Sequence, residues 1–314
     1  MSHLDQPAEF ISTSSRSFWN QVFALTGSVT LRVLPKVFAF GMVAIVICAM
    51  AWFVETIYGV EVGTDPTPFG IAGVGLGLIL VLRTNAGYDR WWEGRKLWGG
   101  IVNQSRNLAI AALAFGPDDR EWREKFVRWV ATFSHASCSS LRGVPLTPQA
   151  AALVGRDAAD RLAAAEHMPS FVGLALGELL HDAYDRLGMN HWAFQQADRE
   201  RALLIDHIGA CERILKTPMP LAYSIKIRQL IALYLMMLPF GLLHSTPSSL
   251  LVPFLTMLIA FPILTLDQAG IELENPFSTR RLSHLPLEEI SATLQRNLEG
   301  LLESKQSLAA LGPE

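Results

Sequence analysis

QLIALYLMMLPFGLLHSTPSSLLVPFLTMLIAFPILTL, from Gln229 to Leu266, runs for roughly 38 residues without one Asp, Glu, Lys or Arg, where a helix crossing a bilayer needs about 20 mostly apolar residues. A run of nearly twice that length with a polar break at its middle reads as two spans. The break is His244-Ser245-Thr246-Pro247-Ser248-Ser249, where proline and hydroxyl side chains favour a turn. The stretch is a membrane hairpin, and it decides the fold class.

Two further uncharged stretches lie upstream. Val37 to Val54 (VFAFGMVAIVICAMAWFV) and Pro66 to Leu82 (PTPFGIAGVGLGLILVL) each have spanning length, the second at the lower limit of the range, where a buried core helix is the alternative. Pro66 and Pro68 suit a helix start, where a missing N–H costs nothing. Four spans result. Arg32 and Lys36 precede the first span, Arg83, Arg90, Arg95 and Lys96 follow the second, Lys226 and Arg228 precede the third, and Arg280 and Arg281 follow the fourth. The short loops Glu55 to Asp65 and His244 to Ser249 hold no Lys or Arg. The positive-inside rule then predicts both termini and the middle segment in the cytoplasm, in a multi-pass protein of the cell inner (plasma) membrane. Met1 to Ser17 lacks a basic segment followed by an apolar one, so no cleaved export signal is read there.

Composition fits a chain that is part membrane and part water-soluble. It has 314 residues, 50% of them hydrophobic and 18% charged, and a formal net charge of -3. No basic stripe marks a nucleic-acid partner. Cys48, Cys138 and Cys211 form neither a CxxC pair nor a disulfide framework, and neither a metal nor a cofactor is implied.

The expected organisation is an N-terminal segment 1–32, two spans in 33–82, a cytoplasmic helical domain 83–228, two spans in 229–266 and a C-terminal segment 267–314. Glu93–Phe115, Asp118–Leu141, Pro148–Ala165, Phe171–Leu187 and His191–Leu215 carry apolar residues at helical spacing, with breakers at Gly116-Pro117, Gly143-Val144-Pro145, Met168-Pro169 and Gly188. Phe126, Trp129, Val130 and Phe133 fall at i, i+3, i+4 and i+7 on one face. A last amphipathic helix covers about Pro286 to Leu302. Almost no strand is expected.

Gly70, Gly73, Gly75 and Gly77 crowd the second span. Glycine at that density weakens a helix by nearly ~1 kcal/mol each unless close packing compensates, and Gly73-xxx-Gly77 has the spacing that lets membrane helices approach. Val74, Leu78 and Leu82, at i, i+4 and i+8, form an apolar stripe beside that face. Two readings stay open: the stripe packs inside a four-helix bundle, or several subunits gather so that it lines a narrow hole that gates ions by dewetting.

The string Leu82 to Leu108, LRTNAGYDRWWEGRKLWGGIVNQSRNL, resembles the bestrophin family of channels in its bacterial branch. Cys211-Glu212-Arg213, then Thr217-Pro218-Met219-Pro220-Leu221-Ala222-Tyr223, and Glu272-Leu273-Glu274-Asn275-Pro276-Phe277 follow in matching order, and the likeness covers about Ser17 to Leu301. It implies an all-α membrane protein with four transmembrane helices and a large helical cytoplasmic region, assembling as a pentamer around a central pore lined by the second helix. The family's neck of three apolar rings carries over to Val74, Leu78 and Leu82. Relatives often have isoleucine and phenylalanine there, so smaller side chains imply a wider or more readily wetted neck. The family's cytoplasmic aperture carries over to Trp192. Calcium-activated relatives place acidic residues after the Asn-Pro-Phe motif, whereas Ser278-Thr279-Arg280-Arg281 stand here, so no calcium clasp is expected.

The implied function is passage of small monovalent ions, chloride or other anions by family default, with a monovalent cation (sodium) channel as the alternative. The implied partners are further copies of the chain, the lipid bilayer and small inorganic ions. A membrane-bound enzyme or a non-conducting scaffold are the other classes. His181-Asp182 with Asp185, and Asp206-His207, bring imidazole near carboxylate, but neither HExxH nor a nucleophile elbow is present. Trp91, Trp92 and Trp98 are expected to anchor at the membrane interface. Asp89, Arg90, Glu93, Arg95 and Lys96 are expected to pair along their helix, and Pro239, Pro253 and Pro262 to bend the last two spans.

Overall fold

A computed structural model describes residues 18–22 and 28–310; Met1 to Ser17, where the export-signal reading falls, lies outside them. The described residues form helices and connecting turns without a strand. The helices are α1 (Phe18–Val22), α2 (Thr30–Tyr58), α3 (Thr67–Phe115), α4 (Arg120–Arg142), α5 (Pro148–Val154), α6 (Arg156–Ala164), α7 (Met168–Asp185), α8 (His191–Lys216), α9 (Leu221–Ser245), α10 (Leu251–Leu273) and α11 (Leu287–Ala310). Four of them, α2, α3, α9 and α10, are long and apolar enough to cross a membrane. The chain divides into two units, one from Met1–Val81 and Lys226–Ala269, the other from Leu82–Ile225 and Gly270–Glu314.

In the first unit α2 buries a narrow row of mostly small residues, Val33, Val37, Gly41, Ala44, Ile47 and Ala51. Its bulky side chains, Phe38, Met42, Ile45, Val46 and Phe53, point outward. Large apolar groups outside and small ones inside is the arrangement expected in lipid, where close backbone approach and not water exclusion drives association. Gly41 shows the constraint: a Cβ there would sit 2.7 Å from Met257 Sδ. The shared core joins Val33 and Val37 of α2, Leu76 and Leu80 of α3, Ile227, Ile231 and Leu235 of α9, and Ala260 and Leu264 of α10.

Helix ends follow local chemistry. Gly59 closes α2 at φ 67°, its N–H donating to Glu55 O, a left-handed cap that glycine adopts without strain. Asp65 Oδ1 accepts from the Thr67 backbone N–H at 2.9 Å and from the Thr67 hydroxyl at 2.7 Å, starting α3. Pro239 and Pro262 lie inside continuous helices. Pro253 instead occupies the first turn of α10, where no backbone partner is lost, so it is not an interior bend.

The second unit packs α4 against α5, α7, α8 and α11. Phe126, Trp129, Val130 and Phe133 are all buried on α4, as their spacing predicts. Three boundaries differ from the sequence reading. The second span and the following stretch are one helix of 49 residues, since no proline separates Leu82 from Glu93, the isolated Gly87 is tolerated inside a helix, and an apolar span can continue as a charged helix. Pro148 to Ala165 is two helices split at Gly155, whose φ of 84° is outside the helical region. Helix α7 starts at Met168 because Pro169 occupies its first turn, with His167 as the cap; the Met168-Pro169 breaker is a helix start.

Candidate pore-lining helix

Helix α3 has two unlike sides within its apolar part. Leu76 and Leu80 are 5% and 0% exposed, inside the four-helix core. Gly73 faces the same way, with Tyr234 Oη 2.8 Å from where its Cβ would be. Val74, Leu78 and Leu82 are 77%, 62% and 56% exposed. The stripe therefore does not pack within its own bundle. Around Gly70, Gly75 and Gly77 nothing lies within 4 Å of an added Cβ, so those glycines are not needed for packing inside one subunit.

Trp192 is exposed in the first turn of α8. Asn190 caps that helix, its Oδ1 accepting from the Trp192 N–H at 2.8 Å, and the indole meets the His191 ring edge-on. The position presents a large ring at a helix start without burying it.

The imidazole–carboxylate pairs form no centre. Asp182 Oδ1 is held by Arg186 Nη1 at 3.2 Å, and no cluster of three His, Cys, Asp or Glu able to hold a metal occurs among the described residues.

The second unit shows why the resembling motifs stand where they do. Arg90 Nη2 donates to Ile214 O at 2.6 Å, Nη1 to Thr217 O at 3.0 Å and Nε to Glu274 O at 3.2 Å. One guanidinium thus satisfies carbonyls at the end of α8, where helical partners run out and the dipole favours a cation. Beside it, Arg213 Nη2 donates to Glu93 Oε1 at 2.8 Å, and Trp91 Nε1 donates to Ser283 O at 2.7 Å. Arg83 Nη2 donates to Glu274 Oε1 at 3.3 Å. The three separated segments of the motif are one structural knot.

The profile of the bacterial/fungal bestrophin protein family matches residues 10–300. The chain belongs to that family. A bestrophin is a channel protein of the membrane, not an enzyme. Among similar proteins, one from Nostoc sp. named voltage-dependent anion channel-forming protein is 33% identical, over 92% of this chain and 93% of its own. One of the same name from Synechocystis sp. is 35% identical over 74% and 76%. A bacterial bestrophin homologue from Klebsiella pneumoniae, solved with a mutation, shares the fold at TM-score 0.77 and 24% identity, over 85% of this chain and 97% of that one.

Several contacts of this bestrophin were not read from its sequence. The charges of Arg90 and Glu93 serve carbonyls and a guanidinium more than 100 positions away instead of pairing along α3. Trp98 is wholly buried in the second unit's core and anchors no interface. Periodicity showed neither, because a surface face and a face covered by distant helices have the same local pattern. Glu272 Oε2 accepts from the Leu282 N–H at 2.8 Å. Together with Arg83 on Glu274, this commits both carboxylates of the Glu272–Phe277 segment to protein donors.

Proposed function

We propose that the chain assembles as a homopentamer in the plasma (inner) membrane, termini cytoplasmic, and passes small monovalent ions along the assembly axis. Val74, Leu78 and Leu82 form the neck as three apolar rings, and Trp192 forms the cytoplasmic aperture. The observation that carries this reading is the division of α3: Leu76 and Leu80 are used inside the subunit, while the stripe and the gaps at Gly70, Gly75 and Gly77 are unused by it. A rotational assembly gives the stripe a water path to line, and the glycine gaps let neighbouring backbones approach. An apolar ring then controls flow by wetting and dewetting.

Anions are the preferred ions, since relatives with a third of the sequence in common bear the name of anion channel-forming proteins. One observation favours the second reading, a monovalent cation channel: the last turn of α2 and the loop before α3 hold Glu55, Glu61 and Asp65 and no Lys or Arg. Purified protein in a planar bilayer under a potassium chloride gradient decides the matter. A reversal potential near that of chloride supports the proposal, one near that of potassium replaces it with the cation reading, and no current in repeated fusions leaves a scaffold.

A further inference from the structure

At the loop end of the first unit a pocket of about 420 Å³ opens between the last turns of α2, the loop before α3 and the turn joining α9 to α10. Its wall is built by backbone contact. Thr64 N–H donates to Phe240 O at 3.2 Å, and a Cβ on Gly63 would stand 3.1 Å from His244 Cβ. Only glycine lets the loop lie so close to α9. Ala51 and Leu243 contribute apolar surface, Trp52 an indole, Glu55 and Glu61 two carboxylates, and Ser249 a hydroxyl. No lysine or arginine lines it, and neither glutamate has an ion-pair partner among the described residues.

We propose that this pocket binds an ammonium group carried on a small apolar body. Uncompensated negative charge selects a cation. The indole adds attraction to a cation held over its face, and the volume is that of a small-molecule site. A bare metal ion is the poorer match, because no three His, Cys, Asp or Glu stand close enough to coordinate one among the described residues. The site is separate from the α3 stripe and does not depend on the conduction reading. Two sources supply the same chemistry: a free organic amine, and the head group of a phosphatidylethanolamine at the membrane edge.

The test is fluorine NMR of fluorotryptophan-labelled, full-length protein in nanodiscs of phosphatidylglycerol, titrated with choline and with its uncharged tert-butyl isostere. The Trp52 resonance, assigned by Trp52→Phe, is expected to shift saturably with choline and not with the isostere. The exposed pair Glu55→Gln and Glu61→Gln, with the fold checked by size-exclusion profile, is expected to weaken choline by about tenfold, the loss expected for removing two close charges. An equal response to the isostere, or unchanged choline affinity in the double variant, overturns the proposal. So does a tighter zinc response that His244→Ala abolishes. Repeating the titration in phosphatidylethanolamine nanodiscs separates the sources: choline affinity reduced there identifies the lipid head group, and unchanged affinity identifies a free amine.

Discussion

Arg83 and Glu274, 191 positions apart, are joined by an ion pair in which the arginine side chain is 1% exposed and the glutamate 21%. Arg83 is the first charge after the second apolar stretch, and Glu274 precedes the Asn-Pro-Phe segment. The pair fixes the return of the chain after α10 onto the part of α3 that lies in the same unit. A guanidinium this deeply withdrawn from water is stable only while its partners remain.

Glu274→Ala is accordingly expected to destabilise the protein by about 3 kcal/mol, since it removes a carboxylate that holds a buried charge. Glu274→Gln, which keeps an acceptor oxygen, should cost less. Thermal unfolding in detergent, followed by size-exclusion chromatography, compares the two. Equal melting temperatures for wild type and Glu274→Ala would show that the pair contributes nothing.

Gly94 stands in the first resembling motif and Pro276 in the last, and they touch. A Cβ on Gly94 would lie 2.8 Å from Pro276 Cγ and 3.3 Å from Phe277 Cζ. A proline ring has little freedom to retreat, so Gly94→Ala is expected to cost about 1–3 kcal/mol through overpacking. Gly99, whose Cβ would have only Arg95 Nη1 nearby at 3.5 Å, is the control: Gly99→Ala should be neutral or slightly stabilising, as alanine is the better helix former.

Acid stability tests the contact between His167 and Glu212. His167 Nε2 donates to Glu212 Oε1, and Lys216 Nζ donates to Oε2 at 3.2 Å. Burial opposes ionisation of Glu212, but these hydrogen bonds outweigh it and hold the carboxyl below its ordinary value of about 4.5. A depressed folded-state value means the contribution is complete above pH ~4.5 and is lost as the pH falls through the lower folded-state value. Glu212→Gln should therefore cost about 1 kcal/mol at neutral pH, with the gap to wild type closing below pH ~4.5. A gap that stays constant into acid would place the effect elsewhere.

Leu78→Ala bears on the proposed neck. The side chain is exposed on the subunit, so a change in stability within about 0.5 kcal/mol is expected, while the shortened ring should raise single-channel conductance or open probability. Unchanged conductance and gating in bilayer recordings would remove Leu78 from the ion path.

Calcium is expected to leave ion flux unchanged. Arg280 and Arg281 follow the Asn-Pro-Phe segment, and the carboxylates of Glu272 and Glu274 already accept from Leu282 N–H and Arg83. A hard cation needs several free carboxylate or carbonyl oxygens. Flux from reconstituted vesicles with calcium or with chelator gives the comparison, and a calcium-dependent rise would contradict this expectation.

The membrane class, the four spans and the helical character of the rest were legible in the residues themselves, because charge depletion over a span length and apolar spacing on a helix face are local properties. The i, i+4, i+8 stripe of Val74, Leu78 and Leu82 was legible for the same reason. Its side was not: whether a residue of α3 faces its own bundle depends on where α2, α9 and α10 lie, and that places Leu76 and Leu80 inside and the stripe outside. Trp98 in the core, Arg90 across three carbonyls and Gly94 under Pro276 likewise required the chain to return on itself. Local spacing determines which elements form; only tertiary packing decides which charges are buried, because a partner that helps make burial of a guanidinium tolerable comes from almost 200 residues away.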